Sequence, residues 1–198
     1  MNPKKTTVLV GFISVLAIIL FWLVYRPWAR TWGATDEEID RPMRGDDIVE
    51  KPIFNATRAV TIAASREEIW PWLVQMGSLR AGFYSWDQLD NDGIPSAERI
   101  MPELQDLRVG DLIPLSHDAE AKVEILEPAR HLLLVFQGDT EATWMWGLYA
   151  AAADKTRLVT RLRVGTGGIR SRLVLDAFEI IMMRKCLLGI KRRAESSS

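Results

Sequence analysis

Cysteine is almost absent: Cys186 stands alone in a chain of 198 residues. No internal disulfide can form, and cysteine cannot build a metal site. Histidine is nearly as scarce, with two residues. His117 lies in a polar loop beside Asp118, and His131 follows a turn. Neither has a partner legible in the sequence, so a metal centre or nucleophilic triad lacks support. No excess of charge exists either: 25 basic and 26 acidic residues leave a net charge of −1. That excludes nucleic acid as a bulk electrostatic partner. There is no internal repeat. Asp90-Asn-Asp-Gly93 superficially suggests a calcium loop, but the matching frame puts Gln88 at the first ligand position and Arg99 at the last, which needs a bidentate acid. No cofactor and no metal are expected.

What the chain has in quantity is apolar length and tryptophan. Residues 6–25 carry no charge. At 1.5 Å per residue they span about 30 Å, the thickness of a bilayer's hydrocarbon core. Lys4 and Lys5 precede the run, and Trp22, Tyr25, Arg26, Trp28 and Arg30 follow it as an interfacial belt. A cleaved signal peptide would have a shorter apolar core ending in a small-residue site. The run is therefore read as a retained single-pass anchor in the cell membrane. Basic residues on both flanks do not decide orientation, with a lean to a cytoplasmic domain. Residues 1–30 are assigned to the anchor, 31–55 to a linker partly packed on the domain, and 56–195 to the domain. The linker's Ile39, Ile48, Val49, Ile53 and Phe54 are more apolar than a free tether needs.

The domain opens with Thr57-Arg-Ala-Val-Thr-Ile-Ala63, which alternates like a half-buried strand. Ser65 and Glu68 have the spacing of a capping box. Ile69, Trp72, Leu73 and Met76 then recur on one helical face, and Gly77 suits the position after the last turn. Pro71 should remove one helical hydrogen bond and kink the helix. Gln75 is expected to bind backbone in a neighbouring loop. Ser85–Asp90 suggests a short helix with Ser85 as a cap, and Ser96–Leu104 a further turn interrupted by Pro102. Asp111–Leu115, Ala121–Glu127, His131–Gln137, Ala142–Ala151 and Thr156–Val164 read as strands, consistent with an antiparallel meander of six. A helix over about Arg170–Ala194 follows. It is apolar on most sides, but Asp176, Glu179, Arg184 and Lys185 interrupt it too often for a second membrane span.

Three motifs carry a resemblance: Trp70-Pro-Trp-Leu-Val-Gln-Met-Gly77, Gly82-Phe-Tyr-Ser-Trp-Asp87 and Glu103-Leu-Gln-Asp-Leu-Arg-Val-Gly-Asp111. With the Arg184–Glu195 end, they resemble membrane-tethered bacterial members of the SRPBCC superfamily, the START-like, polyketide cyclase/dehydrase and lipid-transport group. The resemblance covers about residues 28–195. It implies an α+β helix-grip fold: a curved antiparallel sheet with short helices, and a long C-terminal helix closing over a cavity.

Trp144 and Trp146 share one face of a strand, as pocket wall or as core. Phe178 and Met182, four apart, share a face of the last helix. With Trp72 and Met76 these are the candidate ligand-contacting residues. Arg157, Arg161 and Arg163 share a strand face, expected to meet solvent; facing the cavity, they would hold an anionic head. Tyr84 and Asp87 are candidates for an acid–base pair, against capping and packing roles for the same segment. Cys186 reads as a buried, inert thiol. The expected activity is binding of a hydrophobic small molecule or lipid. The alternatives are a cyclase/dehydrase-like enzyme and an interaction module with a filled cavity.

Overall fold

In the computed structural model, residues 3–139, 141–151, 154–165 and 175–196 are described, without the side chains of residues 3–10 and of Phe178. Helix α1 (Pro3–Leu20) runs through a π-helical turn at Phe21–Tyr25 into α2 (Arg26–Thr31). The stretch Gly11–Thr31 is long and apolar enough to cross a membrane, and nearly all of it lies free of the domain. Only its end docks: Ala29 is buried, and Arg58 donates Nε–H to the Ala29 carbonyl at 2.7 Å.

Six strands form one antiparallel sheet: β1 (Phe54–Ile62), β2 (Leu112–Pro114), β3 (Glu120–Glu127), β4 (His131–Phe136), β5 (Ala142–Ala150) and β6 (Thr156–Val164). Strands β2 to β6 form the expected meander. The first strand departs from it by joining beyond the last, in the order β1-β6-β5-β4-β3-β2. Phe54 pairs with Val164, and Ile62 with Thr156. A bulge between Val123 and Ile125 breaks the register of β3 on β4.

Helix α4 (Arg66–Val74) starts with the capping box foreseen: the Ser65 hydroxyl accepts from the Glu68 N–H, and the Glu68 carboxylate accepts from Ser65 N–H at 2.7 Å. Pro71 is inside the helix. The carbonyl that its missing N–H would have served belongs to exposed Glu67, where water can take over. Gln75 holds the following loop, donating to Arg99 O at 3.2 Å and accepting from Met101 N–H at 2.9 Å. A single 3₁₀ turn, Pro102–Leu104, occupies the later segment.

The short helix α5 (Asp87–Asp90) lacks the cap expected of Ser85. The Ser85 hydroxyl donates instead to Met182 O at 3.0 Å, tying this segment to the last helix. That helix enters through a π-helical turn at Leu175–Glu179 and continues as α6 (Ile180–Ser196); residues 170–174 of the expected span lie outside the described residues. Gly189 explains its tight seating. A Cβ there would come within 2.3 Å of the Tyr84 carbonyl.

The arginine face of β6 corrects the expectation of solvent. Residues 33–50 lie across it as a strap that includes α3 (Asp36–Asp40). Arg157 pairs with Glu38 at 2.7 Å, and Arg161 with Asp46 at 2.6 Å. Arg163 donates to the Val49 carbonyl at 3.0 Å. Beneath the strap, Met43, Ala59, Leu133, Met145 and Val159 form a second apolar cluster. Charged side chains are seldom buried without partners; here the partners come from the segment read as a linker.

Candidate functional site

Two aromatic-rich regions share the grip between sheet and α6, and they differ in filling. At one end Trp72, Met76, Trp146, Leu158, Leu187 and Ile190 are all buried in the main core. Trp72 and Tyr84 meet edge-on with centroids 5.8 Å apart. At the other end, where β4 ends and α6 begins, a cavity of about 210 Å³ remains. Phe83, Phe136, Trp144, Leu162, Met182 and Met183 form most of its wall. Trp144 is fixed by its indole N–H, which donates to Thr160 Oγ1 at 3.0 Å, and by Trp146 at 4.9 Å between centroids.

Of the six residues expected to contact a ligand, Trp144 and Met182 line this cavity. Trp72, Met76 and Trp146 pack in the filled end, and the side chain of Phe178 lies outside the described residues. Sequence reasoning missed Phe83, Phe136, Leu162 and Met183. Leu162 is the register partner of Trp144 and faces the same side, but no local signal says where along the grip space is left.

Four polar residues reach the cavity: Ser85, Asp90, Glu179 and Cys186. Glu179 is paired with Arg58, whose side chain is 2% exposed. Burial pushes the Glu179 carboxyl up, and the Arg58 charge opposes that shift in part. Burial also raises Asp90. The Cys186 thiol is pushed far up by burial and by the charges of Asp90 and Glu179, so it is not a nucleophile at neutral pH. A signal for Glu179 existed in the sequence: with Asp176 it is one of two acids in an otherwise apolar helical stretch, and each needs a reason.

Tyr84 and Asp87 line a different, polar groove of about 390 Å³ with Ser96, Glu98, Lys185 and Arg193. Tyr84 donates its hydroxyl to Trp72 O at 2.9 Å, and burial raises its phenol well above the ordinary value. Asp87 Oδ1 accepts from the Ser96 hydroxyl at 2.5 Å and from the Ser96 N–H at 3.1 Å. Both side chains are occupied in holding loops, and neither lines the apolar cavity. The histidines acquire the partners the sequence did not reveal. His117 meets Asp92 at 2.6 Å and His131 meets Glu127 at 2.7 Å. Among the described residues no group of three or more His, Cys, Asp or Glu could hold a metal ion.

A long helix laid on a curved six-stranded antiparallel sheet, with a cavity between them, decides the architecture. The fold is a helix grip. Two solved structures agree with it at low identity. A protein from Rhodobacter sphaeroides is 16% identical, covering 75% of this chain and 96% of its own, with a TM-score of 0.50. One from Nitrosospira multiformis is 9% identical over 73% and 98%, also at 0.50. CalC of Micromonospora echinospora, described as a self-sacrificing resistance protein, is 11% identical over 73% and 96%, at 0.49. No protein-family model and no curated protein matches the sequence. Such likeness speaks for the helix grip alone, and function has to come from the cavity.

Proposed function

We propose that this helix-grip protein is membrane-anchored and binds a small hydrophobic molecule or lipid in the cavity under α6. The observation that carries the reading is the cavity wall. Aromatic and thioether side chains surround about 210 Å³ of space, with few polar groups among them. Burial of apolar ligand surface would supply the affinity, and the polar residues would orient the ligand. The volume lies below the roughly 300–1,000 Å³ of drug-sized pockets. A compact ligand, or one portion of a longer chain, fits it best.

The anchor fits this reading. Arg26 and Arg30 at the end of the apolar helix both meet Asp176, at 2.8 and 2.5 Å. Tyr25 donates to Ala177 O at 2.5 Å. Asp176 and Ala177 stand one turn before the cavity residue Glu179. The cavity would thus be held next to the bilayer from which an apolar ligand comes.

Native mass spectrometry of the full chain, released from lipid nanodiscs prepared from its own cells, tests the proposal. A bound apolar molecule retained by wild type is expected. Bare protein under conditions that preserve the fold would reject it. A second reading, cyclase/dehydrase-like chemistry, draws on the two carboxyl groups in the cavity wall. It requires that the retained molecule change in mass or structure during incubation.

A further inference from the structure

We infer that the cavity selects amphiphiles whose polar end donates hydrogen bonds, an alcohol or an amine, and rejects carboxylates and esters of the same chain. The inference rests on the ligand-binding reading above and names the ligand class. Its basis is a mismatch of donors and acceptors. Asp90 and Glu179 both line the cavity. Asp90 Oδ1 and Glu179 Oε1 are buried, and neither has a hydrogen-bond partner among the described residues.

The nearby donors are already engaged. Arg58 holds Glu179 Oε2 and the Ala29 carbonyl. The Ser85 hydroxyl is shared between Met182 O and the Asp90 carboxyl. The Lys185 ammonium sits 3.6 Å from the Trp86 ring centroid. Cys186 offers only a weak S–H donor. What the wall presents to a ligand is therefore acceptor oxygen. A buried acceptor left unsatisfied costs free energy, which a ligand donor recovers and a ligand acceptor does not. A carboxylate would add negative charge to a low-dielectric space already walled by two acids.

The same residues orient the ligand. Arg58 bridges the end of α2 and Glu179, so the ligand's polar end lies towards the anchor. Its apolar end then lies against Phe83, Trp144 and Met183.

Methyl resonances report occupancy directly. The full chain, carrying 13C-methyl methionine, is placed in nanodiscs in neutral buffer and titrated with octanol, octylamine, octanoate and methyl octanoate. Met182 and Met183 line the cavity, and Met43 in the cluster under the strap is an internal control. Octanol and octylamine should shift the Met182 and Met183 methyls at concentrations about tenfold lower than the ester and octanoate require. Met43 should not move. Asp90→Leu, which leaves the Arg58–Glu179 pair intact, should bring the half-saturations of octanol, octylamine and the ester together.

Equal response to all four probes would overturn the donor selection while leaving apolar binding in place. The same holds if octanoate binds best, or if Asp90→Leu keeps the preference. No response of Met182 and Met183 to any probe would remove both the selection and the binding reading beneath it.

Discussion

Arg161 and Asp46 join at 2.6 Å across 115 residues of chain, and the arginine side chain is only 3% exposed. Arg161 also donates to Thr57 Oγ1 and to the carbonyls of Glu38, Ile39 and Arg41. One guanidinium thus binds β1, β6 and the strap together. Arg161→Ala should destabilise the domain by about 3–5 kcal/mol, because the strap and several buried backbone acceptors lose a donor. Lysine should not rescue it, since a point charge cannot serve a fork of acceptors. Chemical denaturation measures the loss, and an unchanged midpoint would contradict the strap's role.

Acid should loosen the strap through Glu38. Burial alone would raise its carboxyl, but hydrogen bonds from Arg157 and the Thr35 N–H, with the charges of Arg157 and Arg41, hold it below the ordinary 4.5. A depressed carboxyl stabilises the fold fully above its unfolded value, and that contribution fades as pH falls through the folded value. Wild type should therefore lose stability below about pH 4.5 relative to Glu38→Gln. Denaturant midpoints of both proteins across that window decide it; parallel curves would exclude Glu38 as a source.

Trp72 fills the closed end of the grip at 1% exposure, against Tyr84. Trp72→Ala should cost about 3–5 kcal/mol. Ligand retention at temperatures where the variant stays folded should be unaffected, because Trp72 is not in the cavity wall. Loss of binding with little loss of stability would place the site elsewhere.

Met182→Trp puts a large ring where space exists. The residue is half-buried and lines the cavity, so the ring should occupy the pocket and block uptake while the melting temperature stays near wild type. If Met182 is instead part of a tight core, overpacking should cost about 1–3 kcal/mol. Melting curves and ligand retention, measured together, separate the two.

Asp176→Ala leaves Arg26 and Arg30 without the carboxylate they share. Docking of α2 on the start of α6 should weaken. Protease cleavage near Thr31 should rise several-fold. Cleavage equal to wild type would show that the clamp is dispensable.

Much of the fold is legible in the sequence because it is local. The Ser65–Glu68 capping box, the alternation of Thr156–Val164, the apolar C-terminal helix and the uncharged run near the N-terminus are each set within a few turns or one strand. Tertiary structure decided what covers each face. Period-two alternation groups Arg157, Arg161 and Arg163 together, but their partners Glu38, Asp46 and Val49 lie more than a hundred residues away. The same limit applies to the site. Trp72, Trp144 and Trp146 look alike in sequence as aromatic residues on apolar faces. Where along the grip α6 packs closely, as at Gly189 against Tyr84, and where it leaves room beside Trp144 depends on the curvature of the whole sheet. Ser85 shows the competition directly: local rules favour it as a helix cap, yet its hydroxyl donates to the Met182 carbonyl, a partner that exists only once the last helix packs on this segment.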